Sequence, residues 1–147
     1  MKGFSGFPSR SEYVAIPKAF FSDILPYIED PAELTVSLHL FRLLGSKRGY
    51  PRAVLQHEAL EDRALAAGFA RNGRDSVREG ARGLELAVGI GTFLRAATPE
   101  GEGWVLLNTG SDRRAAAALA NGRLRPESAG GPPAAVRLPE RDIYTLY

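Results

Sequence analysis

A chain of 147 residues is about the size of one domain and long enough to bury a real core. It has no cysteine and two histidines, His39 and His57, which excludes a disulfide framework, thiol chemistry and a zinc-ribbon or histidine-rich metal site. The net charge of +2 is spread evenly: six basic and five acidic residues in 1–50, seven and six in 51–97, six and six in 98–147. Bulk charge therefore cannot hold this chain on nucleic acid, and any such role needs a local patch.

No apolar run reaches the roughly 18 residues of a membrane span. The N-terminal MKGFSGFPSRSEY has neither an apolar h-region nor a small-residue cleavage site, so the expected compartment is the cytoplasm with no membrane partner. Phe4, Phe7 and Tyr13 in this stretch, with Phe20 just after it, precede the main helical pattern. Aromatic residues at such density outside a core mark an interface, and they are the expected self-association surface.

Phe20, Phe21, Ile24 and Leu25 recur at helical spacing and predict a short first helix that Pro26 should end. DPAELTVSLHLFRLLGSKRG is the plainest helix. Asp30 is the N-cap, Pro31 takes the first helical position and Glu33 completes a capping box. Leu34, Leu38 and Phe41 line one face, while Val36, Leu40, Leu43 and Leu44 fill most of the rest, so this helix should be central. Lys47 and Arg48 suit its C-terminal end and Gly49 can stop it. His39 lies inside it and reads as a structural histidine.

YPRAVL predicts a strand or extended link. HEALEDRALAAG predicts one compact helix with Leu60 and Ala64 inward, ending at Gly68, and FARNG a turn. RDSVREGARGLELAVG resumes helical spacing, with Val77, Ala81, Leu84 and Val88 as the apolar stripe. Gly80 and Gly83 each weaken it by about 1 kcal/mol relative to alanine. TFLRAA and WVLLN around a Pro-Glu-Gly-Glu-Gly tip predict a hairpin, and SDRRAAAALANG a last short helix capped by Ser111 or Thr109. The fold class is mainly α with a small β-hairpin. Two helices across a tight turn followed by a hairpin outline a winged helix-turn-helix.

Candidate DNA contacts follow from that outline. Arg74, Arg78 and Arg82 are spaced by four and share a face of the second helix of the pair, with Arg71 in the turn before it. Ser76 near the helix start could bond a phosphate or a base edge, and Arg95 stands at the base of the wing. In the competing reading, Arg78 simply pairs with Asp75 and Glu79 on a solvated face. Glu100 and Glu102 at the wing tip repel phosphate, and Trp104 reads as a core or interface anchor. Gly89-Ile90-Gly91 does not extend to a dinucleotide fingerprint, there is no Walker A motif, and no nucleophile has an activating local context. The expectation is a non-enzyme with no catalytic residue, cofactor or metal.

The stretch AIPKAFFSDILPYIEDPAELTVSLHLFRLLGSKRGYPRAVL resembles the N-terminal winged-helix domain of DnaD-like primosome proteins, which act in DNA replication initiation. The Ile-Pro entry, the DPAEL helix start, the Phe-Arg-Leu-Leu core and the KRGYPR turn carry the likeness. AVGIGTFL and WVLLNT extend it, so that it covers roughly residues 4–120. The resemblance implies a winged-helix domain over 1–123, a flexible linker over 124–139 rich in Pro, Gly and Ala, and in 140–147 the start of a missing second, helical domain. It also implies a self-associating module that helps assemble the primosome on DNA. The implied partners are further copies of the chain, replication initiation and helicase-loading proteins, and DNA, held weakly and in part through the missing domain. The implied place of work is the cytoplasm, at the nucleoid. The alternative is a winged-helix transcriptional regulator reading duplex through Arg71, Arg74, Arg78 and Arg82.

Overall fold

The computed structural model describes residues 3–126. The linker expected over 124–139 and the second-domain start expected over 140–147 lie outside the described residues, apart from 124–126. Within them the chain is mainly helical with one small antiparallel sheet. The long helices are α1 (Pro31–Gly45) and α4 (Ser76–Ile90). Between them lie the two-residue strand β1 (Val54–Leu55) and the short helices α2 (Gln56–Leu60) and α3 (Arg63–Arg71). After α4 come β2 (Phe93–Ala97), β3 (Gly103–Leu107) and α5 (Gly110–Ala120).

The expected hairpin is present as β2–β3, pairing Phe93 with Leu107 through Ala97 with Gly103. A third strand joins it, because β1 pairs with the far side of β3, Val54 opposite Val105. Alternation then gives the sheet two buried faces. Val54, Phe93 and Val105 join the main core with the helices, while Trp104, Leu106 and Ala96 form a second cluster with Ala53 and with Ala115 and Leu119 of α5. Trp104 is thus a core residue.

Before α1, the expected helix is a π-helical turn over Phe20–Ile24 that tightens into a 3-10 turn over Leu25–Tyr27. Pro26 lies within that second turn and does not end the segment. Phe20 is not an exposed interface residue: it is buried against Phe41, their ring centroids 5.1 Å apart, and Phe41 in turn meets Phe93 at 5.1 Å. The π-helical turn directs Phe20 inward and leaves Phe21 exposed beside it.

The start of α1 is as the sequence predicts on one side only. Asp30 accepts a hydrogen bond from the Ala32 amide at 2.9 Å, but the Glu33 carboxylate is buried and its Oε2 has no partner among the described residues. The inward side of α1 is Ala32, Val36, Leu40 and Leu44, with Ser37 and Phe41 beside them; Leu38 is exposed. The predicted single helix after β1 is two. The chain breaks at Asp62, whose carboxylate accepts from the Leu65 amide and so caps α3. Ala59, Leu65 and Phe69 face inward, Ala64 does not, and α3 runs through Gly68 to Arg71.

The packed face of α4 also differs from the predicted stripe. Gly80, Gly83, Leu84 and Ala87 are buried, Val88 is half-buried, and Val77 (75% exposed) and Ala81 face solvent. The reason is the crossing with α1. A Cβ on Gly83 would stand 2.3 Å from the Ala32 carbonyl oxygen and 2.6 Å from Val36 Cγ2, so only glycine lets the two backbones approach. Gly83 is inward because α1 and α4 nearly touch there.

Candidate nucleic-acid interface

The turn between α3 and α4 is set by Asn72 and by Gly73, which takes a left-handed conformation at φ 71°. The Arg74 amide donates back to the Phe69 carbonyl at 3.0 Å. Asp75 then caps α4, accepting from the amides of Val77 at 3.1 Å and Arg78 at 3.3 Å. The free amides that make a helix start attractive to phosphate are thus partly taken by a carboxylate of the chain itself. Ser76 follows, half-buried, at the first helical position.

The candidate arginines divide into two groups. Arg74 donates to Glu79 at 3.1 Å. Arg82 forks between Asp30 and Glu79, with contacts of 2.8 to 3.1 Å, and ties the cap of α1 to α4. That guanidinium, with help from the Ala32 amide, holds the Asp30 carboxyl below its usual range; the two carboxylates raise Arg82 in return. Arg95 on β2 pairs with Glu85 of α4 at 2.6 Å. By contrast Arg71, at the end of α3, and Arg78, one turn into α4, are exposed and make no ion pair among the described residues. The expected pairing of Arg78 with Asp75 and Glu79 does not form, because Asp75 is spent on the helix cap and Glu79 on Arg74 and Arg82.

The uncommitted part of the predicted face is therefore Arg71, Ser76 and Arg78, with exposed Val77 between the last two. Arg82 and Arg95 are held by acids of their own molecule, as is Arg74, which precedes the helix rather than sharing its face. At the wing tip Glu100 is engaged by Arg125 at 2.9 Å, which offsets one of its two negative charges.

His39 is where a structural histidine belongs. Its Nδ1 lies 2.8 Å from Nη2 of Arg42, and Arg42 also binds Asp62 at the α2–α3 break. Burial and the Arg42 charge hold the imidazole below its ordinary pKa. Burial would raise Asp62, but the Leu65 amide and Arg42 outweigh it and the carboxyl stays low. No group of three or more ligating side chains suited to a metal occurs among the described residues, and none of their helices is long and apolar enough to cross a membrane.

The predicted interface aromatics also divide. Phe4 and Phe7 stack edge-on at 4.8 Å on each other, and with Tyr13 they stand in solvent, Phe7 at 83% and Tyr13 at 91% exposure. Phe20 is lost to the core. Sequence reasoning missed the groove between the approach to α1 and the second half of α4, about 400 Å³, where Tyr27, Glu33, Glu85 and Ile90 meet. Its signal was present in the acidic run Glu29-Asp30 and in Leu86 and Ile90, which fall off the inward face of α4. No family model, curated protein or solved structure matches the chain.

Proposed function

We propose that the chain is a non-enzymatic, self-associating winged helix-turn-helix module that helps assemble a primosome on DNA during replication initiation or restart, as its resemblance to DnaD-like proteins implies. On this reading α3 and α4 are the helix pair, β2–β3 is the wing and β1 closes the sheet. The observation that carries it is the N-terminal arm: Phe4, Phe7 and Tyr13 are aromatic, exposed and touch no core of their own. Leaving three large rings in water forgoes about 25 cal/mol per Å² of their apolar surface, which a second copy would recover. The partners on this reading are further copies of the chain and replication initiation and helicase-loading proteins. DNA is held weakly, the compartment is the cytoplasm and the place of work the nucleoid. Light scattering at about 100 μM, well above the ~1 μM Kd that −8.2 kcal/mol represents, is expected to report a multimer that Phe4→Ser with Phe7→Ser weakens. A monomeric parent overturns the proposal.

A second reading, a winged-helix DNA-binding regulator, is favoured by Arg71 and Arg78, whose charges no acid of the molecule takes up. Two phosphate contacts give a log–log salt slope of about −2 for duplex binding. Replacing both arginines by alanine should abolish that slope, while Arg95→Ala should leave it. Binding by the double variant with the parent's affinity and slope removes this reading.

A further inference from the structure

The two ends of α4 carry opposite and uncompensated surfaces. At its start, Val77 is 75% exposed next to Arg78, with Arg71 at the end of α3 shortly before it in sequence, and neither cation makes an ion pair among the described residues. Toward its other end, about 20 Å away at 1.5 Å per residue, the groove of about 400 Å³ is walled by the exposed apolar side chains of Tyr27, Leu86 and Ile90. Four carboxylates line that groove, and two are already answered: Asp30 by Arg82, Glu85 by Arg95. Glu29 makes no ion pair among the described residues. Glu33 is only 6% exposed, and its Oε2 is buried without a hydrogen-bond partner among the described residues. A buried carboxylate in that state costs free energy until a donor reaches it, and burial with the neighbouring Asp30 charge already pushes its pKa up.

We infer that this groove is a docking site for a second copy of the chain, which enters it with the start of its own α4. Arg78 of the incoming copy stands over the Glu33 side chain and supplies the opposing charge it lacks, Arg71 faces Glu29, and Val77 covers Leu86 and Ile90. The occupant is chosen by complementarity in both charge and apolarity. Two unpaired cations with an exposed valine meet two unanswered acids and exposed apolar side chains that line one groove. The two surfaces differ, so the contact is head-to-tail and leaves a free groove at one end and a free cationic end at the other. Such contacts propagate into rings or filaments. The same arginines would be the ones to meet DNA, so assembly through the groove and duplex binding at Arg78 exclude each other. This inference does not rest on the aromatic arm, and the two fail separately.

The test uses the full chain carrying Phe4→Ser and Phe7→Ser, which silences the arm at two residues that pack on each other rather than on the core. Sedimentation velocity from about 10 to 300 μM is expected to show mass rising past the dimer, and falling again at high salt. Arg78→Glu and, separately, Glu29→Lys should each lower the apparent association constant about tenfold or more. Both positions are exposed, so neither change threatens folding. Mixing the two variants should restore one-to-one pairs and nothing larger, since each retains one intact surface. A silenced chain that stays monomeric throughout, either variant assembling like its parent, or a mixture without pairs overturns the inference. Glu33→Gln should weaken assembly less than Arg78→Glu, because the amide keeps the shape and loses the charge.

Discussion

α1 and α4 are each fifteen residues long and cross one another, yet they are built for different work. α1 buries seven residues, Val36, Leu40, Phe41 and Leu44 among them, and is packed by α3, α4 and β3. α4 buries four, two of them glycine, and meets its neighbours along a narrow strip of small side chains. Ser76, Glu79 and Val88 are half-buried, and the rest of α4 is given to solvent, including Val77, Arg78 and Leu86. A helix that buries so little of itself contributes less to stability and offers more to a partner. α1 holds the molecule together, and α4 is held in place so that its outer surface can be used.

The sharpest way to break that comparison is to truncate an apolar side chain on each helix. Leu40 is almost fully buried, so Leu40→Ala should cost about 2–5 kcal/mol, the lost transfer energy plus the cavity left behind. Val77→Ala on α4 should change stability by less than about 0.5 kcal/mol, as exposed substitutions do. Urea unfolding with an unchanged m-value reads both. Comparable losses at the two positions would mean that Val77 is packed by something in solution and that α4 is not a free surface.

A single substitution made twice on α4 sharpens the same point. Gly→Ala in a helix is worth up to about 1 kcal/mol of stabilisation where the methyl has room. At Gly89 the added Cβ meets nothing within 4 Å, so Gly89→Ala should stabilise by roughly 0.5–1 kcal/mol. At Gly83 the methyl would collide with the Ala32 carbonyl oxygen and with Val36, and backbone cannot step aside cheaply. Overpacking of about 1–3 kcal/mol or more then outweighs the propensity gain, and Gly83→Ala should be a net loss. A Gly83→Ala chain that melts above the parent, as Gly89→Ala should, would show that the α1–α4 crossing is looser than described.

Gly83 also explains what could and could not be read from sequence. The start of α1, the β2–β3 hairpin and the Thr109 cap of α5 were legible, because Asp-Pro, a Gly-rich tip and Thr before a helix are local signals. The inward face of α4 was not. Counting apolar residues puts Val77 and Ala81 in the core, but a close helix crossing selects for small size rather than apolarity, and nothing local announces which helix will approach. The α2–α3 break had a local signal in Asp62, hidden because the apolar spacing on either side fits one helix nearly as well. Of the candidate interface, the identity of the exposed cations was legible. Which of them are already spent was only partly so: Glu79 lies three residues from Arg82, but Asp30, its other acid, and Glu85, which takes up Arg95, lie 52 and 10 residues away in sequence.

The smallest expected effect concerns the first turn of α1, where two neighbouring acids respond to pH in opposite senses. Asp30 is held below its ordinary value of 3.8 by Arg82 and the Ala32 amide, so it stabilises the fold above about pH 4, and that contribution is lost as pH falls through its lowered folded-state pKa. Glu33 is held above its ordinary 4.5 by burial and by the Asp30 charge. The folded chain then binds the Glu33 proton more tightly than the unfolded chain does. Between 4.5 and the raised folded-state value, stability therefore falls as pH rises, and at neutral pH this side chain opposes folding. Glu33→Gln removes that opposition. Its melting temperature should exceed the parent's at pH 7 by roughly one or two degrees, and the gap should narrow as the pH falls toward 4.5 and close well below it, where the parent's carboxyl is protonated in both states. Melts must be run dilute, because a second copy seated in the groove would answer Glu33 and shrink the gap at neutral pH. Curves for parent and variant that stay parallel from pH 7 to 4.5 in dilute solution would show that Glu33 already has a partner in the folded chain.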